Sequence, residues 1–365
     1  MKVLFIDSAH PSLKTELEKN GIICDEDFTS SKSDIEKKLS NYNGVILRSR
    51  FNIDRLFIDR LTPNPSPKGE GGALRFVARV GAGMEHIDVA YAESKGVKCL
   101  SSPEGNRNAV AEHALGMLLS LLNNICKANQ EIKGGKLSEA KSGPLASGWI
   151  REANRGTELE GKTIGIYGYG NTGSAFAKVL SGFGVKVLAY DKYKKNMLEG
   201  AVIPPSEGGA AGGGCVFEST GDGGGSGGCV LKSTPEEIFS QADILSLHLP
   251  LTEETNYLVN DAFINKFKKN IYLINTSRGP IVKTEDLVKN LKSGKVLGAC
   301  LDVIEYEESS FEVISPSGRG QGGGVWDYLK SCNRVILTSH IAGWSFESSE
   351  KMAKILAEKI ISLKD

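Results

Sequence analysis

The chain is built from two successive series of short apolar runs separated by helix-like stretches, and this alternation limits its possible folds more than any other feature. Lys2–Ile6, Gly44–Leu47, Arg75–Val80 and Val97–Leu100 form the first series. Thr163–Tyr167, Lys186–Tyr190, Asp243–Leu247, Ile271–Ile274, Leu297–Leu301 and Arg334–Leu337 form the second. Strands apolar along their whole length are buried on both faces, as happens when helices cover a parallel sheet from each side. Ser12–Asn20 and Ser33–Leu39 carry the helical spacing such covers need. The expected fold class is α/β, with two doubly wound parallel-sheet domains.

The two series meet at a stripe of Val110, Ala114, Met117, Leu118, Leu121, Leu122 and Ile125. Its spacing predicts a long helix between the domains, with Asn108 as N-cap and Glu112 in the first turn. A last helix over Ser348–Leu363 is expected to return to the first domain. The predicted division is therefore 1–107 with 340–365 against 108–339. Four tracts rich in Gly, Pro or Ser (63–73, 137–148, 206–228 and 315–324) read as loop inserts; 11 of the 21 residues from Gly208 to Gly228 are glycine.

Lys+Arg and Asp+Glu both number 44, so no net field favours a polyanion, and nucleic acid is not an expected partner. The richest apolar stretch, Ala114–Leu122, is far short of the roughly 20 residues a bilayer needs, so no membrane partner is expected. The 7 cysteines are scattered without a CxxC pair, which fits a reducing, cytoplasmic setting. No HExxH or Cys/His cluster suggests a metal.

Gly168-Tyr169-Gly170-Asn171-Thr172-Gly173 follows one apolar run and precedes the helix-like Ser174–Ser181. Strand, glycine turn and helix N-terminus together favour a pyrophosphate, through close backbone approach, free N–H groups and the helix dipole. The next run ends at Asp191, where an acid suits ribose hydroxyls and repels a 2′-phosphate. The second domain is thus expected to be a Rossmann domain binding NAD.

Ligands of such sheets collect beyond the carboxyl ends of the strands. Standing there are Arg48, Gly81-Ala82-Gly83, Arg278, Glu307 and His340. Arg278 offers a planar fork for a carboxylate. A histidine readily accepts or donates a proton near neutral pH, and Glu307 would orient His340 and stabilise its imidazolium.

With these residues in place, the chain resembles the D-isomer-specific 2-hydroxyacid dehydrogenases. The likeness rests on VGAGMEHID (Val80–Asp88), GNRNAVAEHALGMLL (Gly105–Leu119), GTELEGKTIGIYGYGNTG (Gly156–Gly173), LHLPLTEET (Leu247–Thr255), INTSRGPIV (Ile274–Val282), LDVIEYEE (Leu301–Glu308) and TSHIAG (Thr338–Gly343). It implies a Rossmann domain inserted in a flavodoxin-like substrate domain and catalytic roles for Arg278, Glu307 and His340; a homodimer is expected from the apolar stripe of the bridging helix, which could serve as a subunit contact. It also implies NAD contacts from Val110, His248, Leu249, Pro250, Thr255, Thr276, Asp302 and Gly343, beside Gly168–Gly173 and Asp191. Around the substrate it places Arg48, Ser49, Gly81, Ala82, Gly83 and Asn106.

The segment Arg48-Ser49-Arg50 resembles the phosphate-receiving part of members acting on 3-phospho-D-glycerate, the expected substrate in serine biosynthesis. Glyoxylate, hydroxypyruvate or D-lactate is the alternative, and an NAD(H)-sensing corepressor-like role the alternative of another kind. The chain departs from the family at Thr172, where a branched apolar residue is usual, and at Glu308 and Ser339, where proline is common. It ends about one helix after His340, so feedback by serine through a further domain is not expected.

Overall fold

The fold is known from a computed structural model that describes residues 1–61, 74–134, 151–194, 215–216, 230–308, 313–314 and 323–364. The expected inserts 63–73 and 137–148 lie outside the described residues, as do most of 206–228 and 315–324. Within the latter two, Cys215–Val216 form a strand and Gly323–Gly324 open a helix over Gly323–Ser331, so neither tract is wholly a loop.

Two units are distinguished. The first comprises Met1–Ala109 and Gly343–Asp365. Its sheet contains β1 (Lys2–Phe5), β2 (Ile23–Glu26), β3 (Gly44–Leu47), β4 (Phe76–Arg79) and β5 (Lys98–Leu100), all parallel, in the order β2-β1-β3-β4-β5. Alternate residues feed opposite cores, as a doubly covered sheet requires: Leu4, Val45 and Val77 on one face, Phe5, Ile46 and Phe76 on the other. The second face is closed by Ala353, Leu356, Ala357 and Ile360 of the helix Phe346–Ile361.

The second unit, Val110–Ala342, contains β6 (Thr163–Tyr167), β7 (Lys186–Tyr190), β8 (Cys215–Val216), β9 (Val230–Lys232), β10 (Ile244–Leu247), β11 (Ile271–Asn275), β12 (Val296–Leu301), β13 (Glu307–Glu308), β14 (Val313–Ile314) and β15 (Val335–Leu337). Its main sheet runs β15-β12-β11-β10-β6-β7-β9-β8, parallel throughout except for the β8–β9 pair, while β13 and β14 form a separate antiparallel ribbon. Leu245 and Leu247 enter one core and Ile244 the other, again covering both faces.

Two helical expectations are corrected. The long helix begins at Pro103 and ends at Leu122, so Asn108 lies inside it rather than at its cap. Proline suits a first helical position, where its missing N–H costs nothing. Ile125 belongs to the next helix, Ile125–Lys133, after Asn124 turns the backbone to φ 54°, and it is 53% exposed. His340–Ala342 fall within the second unit, held by three backbone N–H groups that donate to Asp302 at 2.9 Å each. No single helix among the described residues is long and apolar enough to cross a membrane.

Candidate active site

Neighbouring strands of the second unit release their chains at one carboxyl edge, and the expected residues stand there. Gly168 follows β6, Asp191 follows β7 and His248 follows β10. Arg278, Asp302 and His340 follow β11, β12 and β15.

The glycine turn has the form an anion cradle needs. Gly168 takes φ 96°, and a Cβ there would overlap the carbonyl of His248, so only glycine fits. Gly170 stands at the N-cap of the helix Asn171–Val179 without a side-chain cap, leaving N-terminal N–H groups for a ligand. Asp191 accepts from Tyr169 N at 2.9 Å and from the N–H groups of Tyr193 and Lys194 at 3.0 Å, which fixes the carboxylate beside the turn. Thr276 Oγ1 is buried with no hydrogen-bond partner among the described residues. This donor set fits a dinucleotide: a cradle for its phosphates, an acid for a ribose and an unsatisfied hydroxyl nearby.

His248 is buried between two hydroxyls, with Nε2 2.9 Å from Ser246 Oγ and Nδ1 3.3 Å from Thr172 Oγ1. Burial pushes its pKa down to about 3. The unfolded chain binds this proton near the ordinary pKa of 6.5, so stability is lost as pH falls from there towards 3. The slope is at most about 1.4 kcal/mol per pH unit. His248→Gln is therefore expected to be less stable at pH 7, with the deficit narrowing as urea unfolding is repeated at pH 6 and 5. A deficit independent of pH removes His248 as the titrating group. Pro250 and Thr255 close the adjoining turn, the Thr255 hydroxyl donating to the Pro250 carbonyl at 2.7 Å, and Leu249 N donates to Ser277 Oγ at 3.1 Å.

Arg278 is held by its neighbours. Asn275 Nδ2 donates to the Arg278 carbonyl at 3.0 Å, and Arg278 Nη1 donates to the Ser277 carbonyl at 2.7 Å. A Cβ on Gly279 would overlap the Ile304 carbonyl, so the arginine loop lies directly against the segment after β12. That segment carries Glu307, whose Oε1 meets His340 Nδ1 in a short hydrogen bond. His340 takes φ 56°, a left-handed conformation uncommon for a residue with a side chain. Its imidazole remains 37% exposed, so it is oriented by the carboxylate and still open to a reactant.

Asp302 supports this loop. It is 1% exposed, and its oxygens accept from Thr338 Oγ1 at 2.6 Å and from Ile341 N and Ala342 N at 2.9 Å. Thr338 spends its single hydrogen on Asp302, so His113 Nε2, 3.0 Å away, donates to the threonine.

In the first unit, Gly81, Ala82 and Gly83 follow β4, and their N–H groups have no partner among the described residues. Asn106 Oδ1 is also buried and unpartnered, and a Cβ on Gly343 would stand 2.7 Å from Asn106 Nδ2. Val110, at the start of the second unit, is buried. Arg48 and Ser49 follow β3. Their N–H groups, with that of Arg50, converge on Asp7 Oδ2 at 2.7, 3.0 and 3.0 Å. Asp7, Asn275, Ser277 and Thr338 were not among the expected site residues; Asp7 directly follows the Lys2–Ile6 run, where the strand-end rule points.

Comparison with known proteins fits this edge. The family model described as D-isomer specific 2-hydroxyacid dehydrogenase, NAD binding domain, matches residues 115–203 and 227–342. The chain belongs to this family. A glyoxylate reductase of Thermofilum pendens is 31% identical over 93% of this chain and 83% of its own length. A D-3-phosphoglycerate dehydrogenase of Synechocystis is 30% identical over 90% of this chain but 48% of its own length. The fold matches that of a D-isomer specific 2-hydroxyacid dehydrogenase from Lactobacillus delbrueckii ssp. bulgaricus, in its NAD complexed form. That match has a TM-score of 0.73 and 20% identity, covering 100% of this chain and 97% of the other. This D-2-hydroxyacid dehydrogenase is thus an NAD-dependent oxidoreductase.

Proposed function

We propose that this dehydrogenase acts on 3-phospho-D-glycerate and 3-phosphohydroxypyruvate. The observation that carries the reading is Arg48. Its guanidinium has no hydrogen-bond or carboxylate partner among the described residues and lies 4.4 Å from the centre of the Trp344 ring. A cation left open at a strand end suits an anionic group beyond the reacting carbon.

In this reading Arg278 binds the substrate carboxylate. His340 accepts the C2 hydroxyl proton at Nε2 during oxidation and returns it during reduction, while Glu307 holds Nδ1 and stabilises the imidazolium. NAD, when bound, supplies the acceptor for the hydride leaving C2.

A second reading, a small 2-oxo acid with no distal charge such as glyoxylate or hydroxypyruvate, draws support from the same segment. The Arg50 guanidinium is committed to the carbonyls of Ile6, Asp27 and Ser30, and Asp7 already fills the backbone nest. One cation, rather than two, is left for a distal group.

The experiment is a panel of 2-oxo acids followed by NADH absorbance. The expected result is a kcat/KM for 3-phosphohydroxypyruvate at least about tenfold above that for hydroxypyruvate, since a charge-assisted hydrogen bond contributes about 1.5–3 kcal/mol. Equal values, or a preference for glyoxylate, select the second reading.

A further inference from the structure

Trp344 is exposed to 61%, and the Arg48 guanidinium lies over its ring. Both backbones around this pair are tied down. On one side Asp7 gathers three successive N–H groups, and Arg79 Nε donates to the Arg48 carbonyl at 2.9 Å. On the other, Ser345 caps the helix Phe346–Ile361 reciprocally with Ser348, whose hydroxyl also donates to the Gly343 carbonyl at 2.7 Å. The link between the two fixed loops is the stacked guanidinium and indole. Stacking on the face leaves the N–H groups at the edge unused, whereas Arg50 and Arg79 spend theirs on protein carbonyls.

We propose that Trp344 is a specificity-determining residue, a platform that holds the Arg48 guanidinium ready for a substrate's distal oxyanion. It acts through Arg48, so it is a positioning residue, and the inference rests on the reading of Arg48 above. The oxyanion is either a phosphate or a carboxylate, both of which match the planar fork. Preorganisation is the physical effect: an arginine already fixed in its bound orientation loses less freedom when the ligand arrives.

The test measures a ratio: kcat/KM for a 2-oxo acid bearing a distal oxyanion divided by that for hydroxypyruvate, in the full-length enzyme with NADH. 3-Phosphohydroxypyruvate and oxaloacetate supply the phosphate and carboxylate arms. In Trp344→Leu, which stays apolar but has no π face, the ratio is expected to fall about three- to fivefold, mostly through KM. Trp344→Phe keeps a ring and is expected to recover most of the loss. The arm with the larger fall identifies the oxyanion.

A purely structural tryptophan would lower both kcat/KM values together and leave the ratio in place, which overturns the proposal. Arg48→Met separates the two readings. If it lowers the ratio while Trp344→Leu does not, the platform is wrong and the role of Arg48 stands. If Arg48→Met also leaves the ratio unchanged, the distal-anion reading fails and the platform falls with it.

Discussion

His340→Ala is expected to lower kcat by about 10²–10⁴-fold, the range that a positioned general acid–base group contributes. The mechanism requires a proton to leave the hydroxyl as the hydride leaves C2, and the Nδ1 contact with Glu307 sets the direction in which the imidazole presents its other nitrogen. NAD affinity, measured by NADH fluorescence titration, should change far less than kcat, because the loss falls on a proton transfer. The left-handed backbone at residue 340 calls for a control. Asparagine tolerates φ near 56° but cannot shuttle the proton, so His340→Asn should match the alanine variant in kcat while keeping wild-type thermal stability. A histidine-free variant with near-normal kcat would remove His340 from the proposed chemistry.

The sequence located this residue because the site obeys a local rule. Apolar runs mark strands, and the residue just beyond a buried strand reaches the ligand edge. Gly44–Leu47, Thr163–Tyr167 and Lys186–Tyr190 coincide with β3, β6 and β7 end to end. The same rule passed over β2, whose Ile-Cys-Asp-Glu is half-buried or exposed throughout, and over β9, the short strand following the glycine-rich tract. β2 is an edge strand, half solvated and charged, so it lacks the apolar signature, whereas β9 lies between β7 and β8 and is only 3 residues long, too short a run to stand out.

The start of the long helix was misplaced for a related reason. Asn108 has the chemistry of a cap, but a cap is defined by the backbone conformation before it, and Pro103 already satisfies a helix start five residues earlier. What the sequence hid in the site is long-range pairing. Asn275 and Ser277 brace Arg278 from within its own loop, but Asp302 and Thr338 are 36 residues apart. They meet because β12 and β15 pair with Leu301 opposite Leu337, which brings the next residue of each strand side by side. Only the register of the folded sheet contains that fact.

Asp302→Ala is the variant in which this hidden pairing has its largest effect. Removing the carboxylate leaves the N–H groups of Ile341 and Ala342 without their acceptors and the Thr338 hydroxyl with only the weak acceptor Met117 Sδ at 3.6 Å. A buried donor left unsatisfied costs about 1–3 kcal/mol, and the buried carboxylate's own desolvation cost is recovered, so a net loss of about 3–5 kcal/mol is expected in chemical unfolding. The loop carrying His340 is released at the same time, so kcat falls as well as stability. Asp302→Asn discriminates between the two Asp302 oxygens. Its amide oxygen is best placed at the Oδ1 site, which serves both Thr338 and Ile341, and this sets an amide N–H against the N–H of Ala342. Stability should then fall to an intermediate value. Wild-type stability and kcat in Asp302→Ala would show that the 338–342 loop is held by other contacts and that the carboxylate has no positioning role.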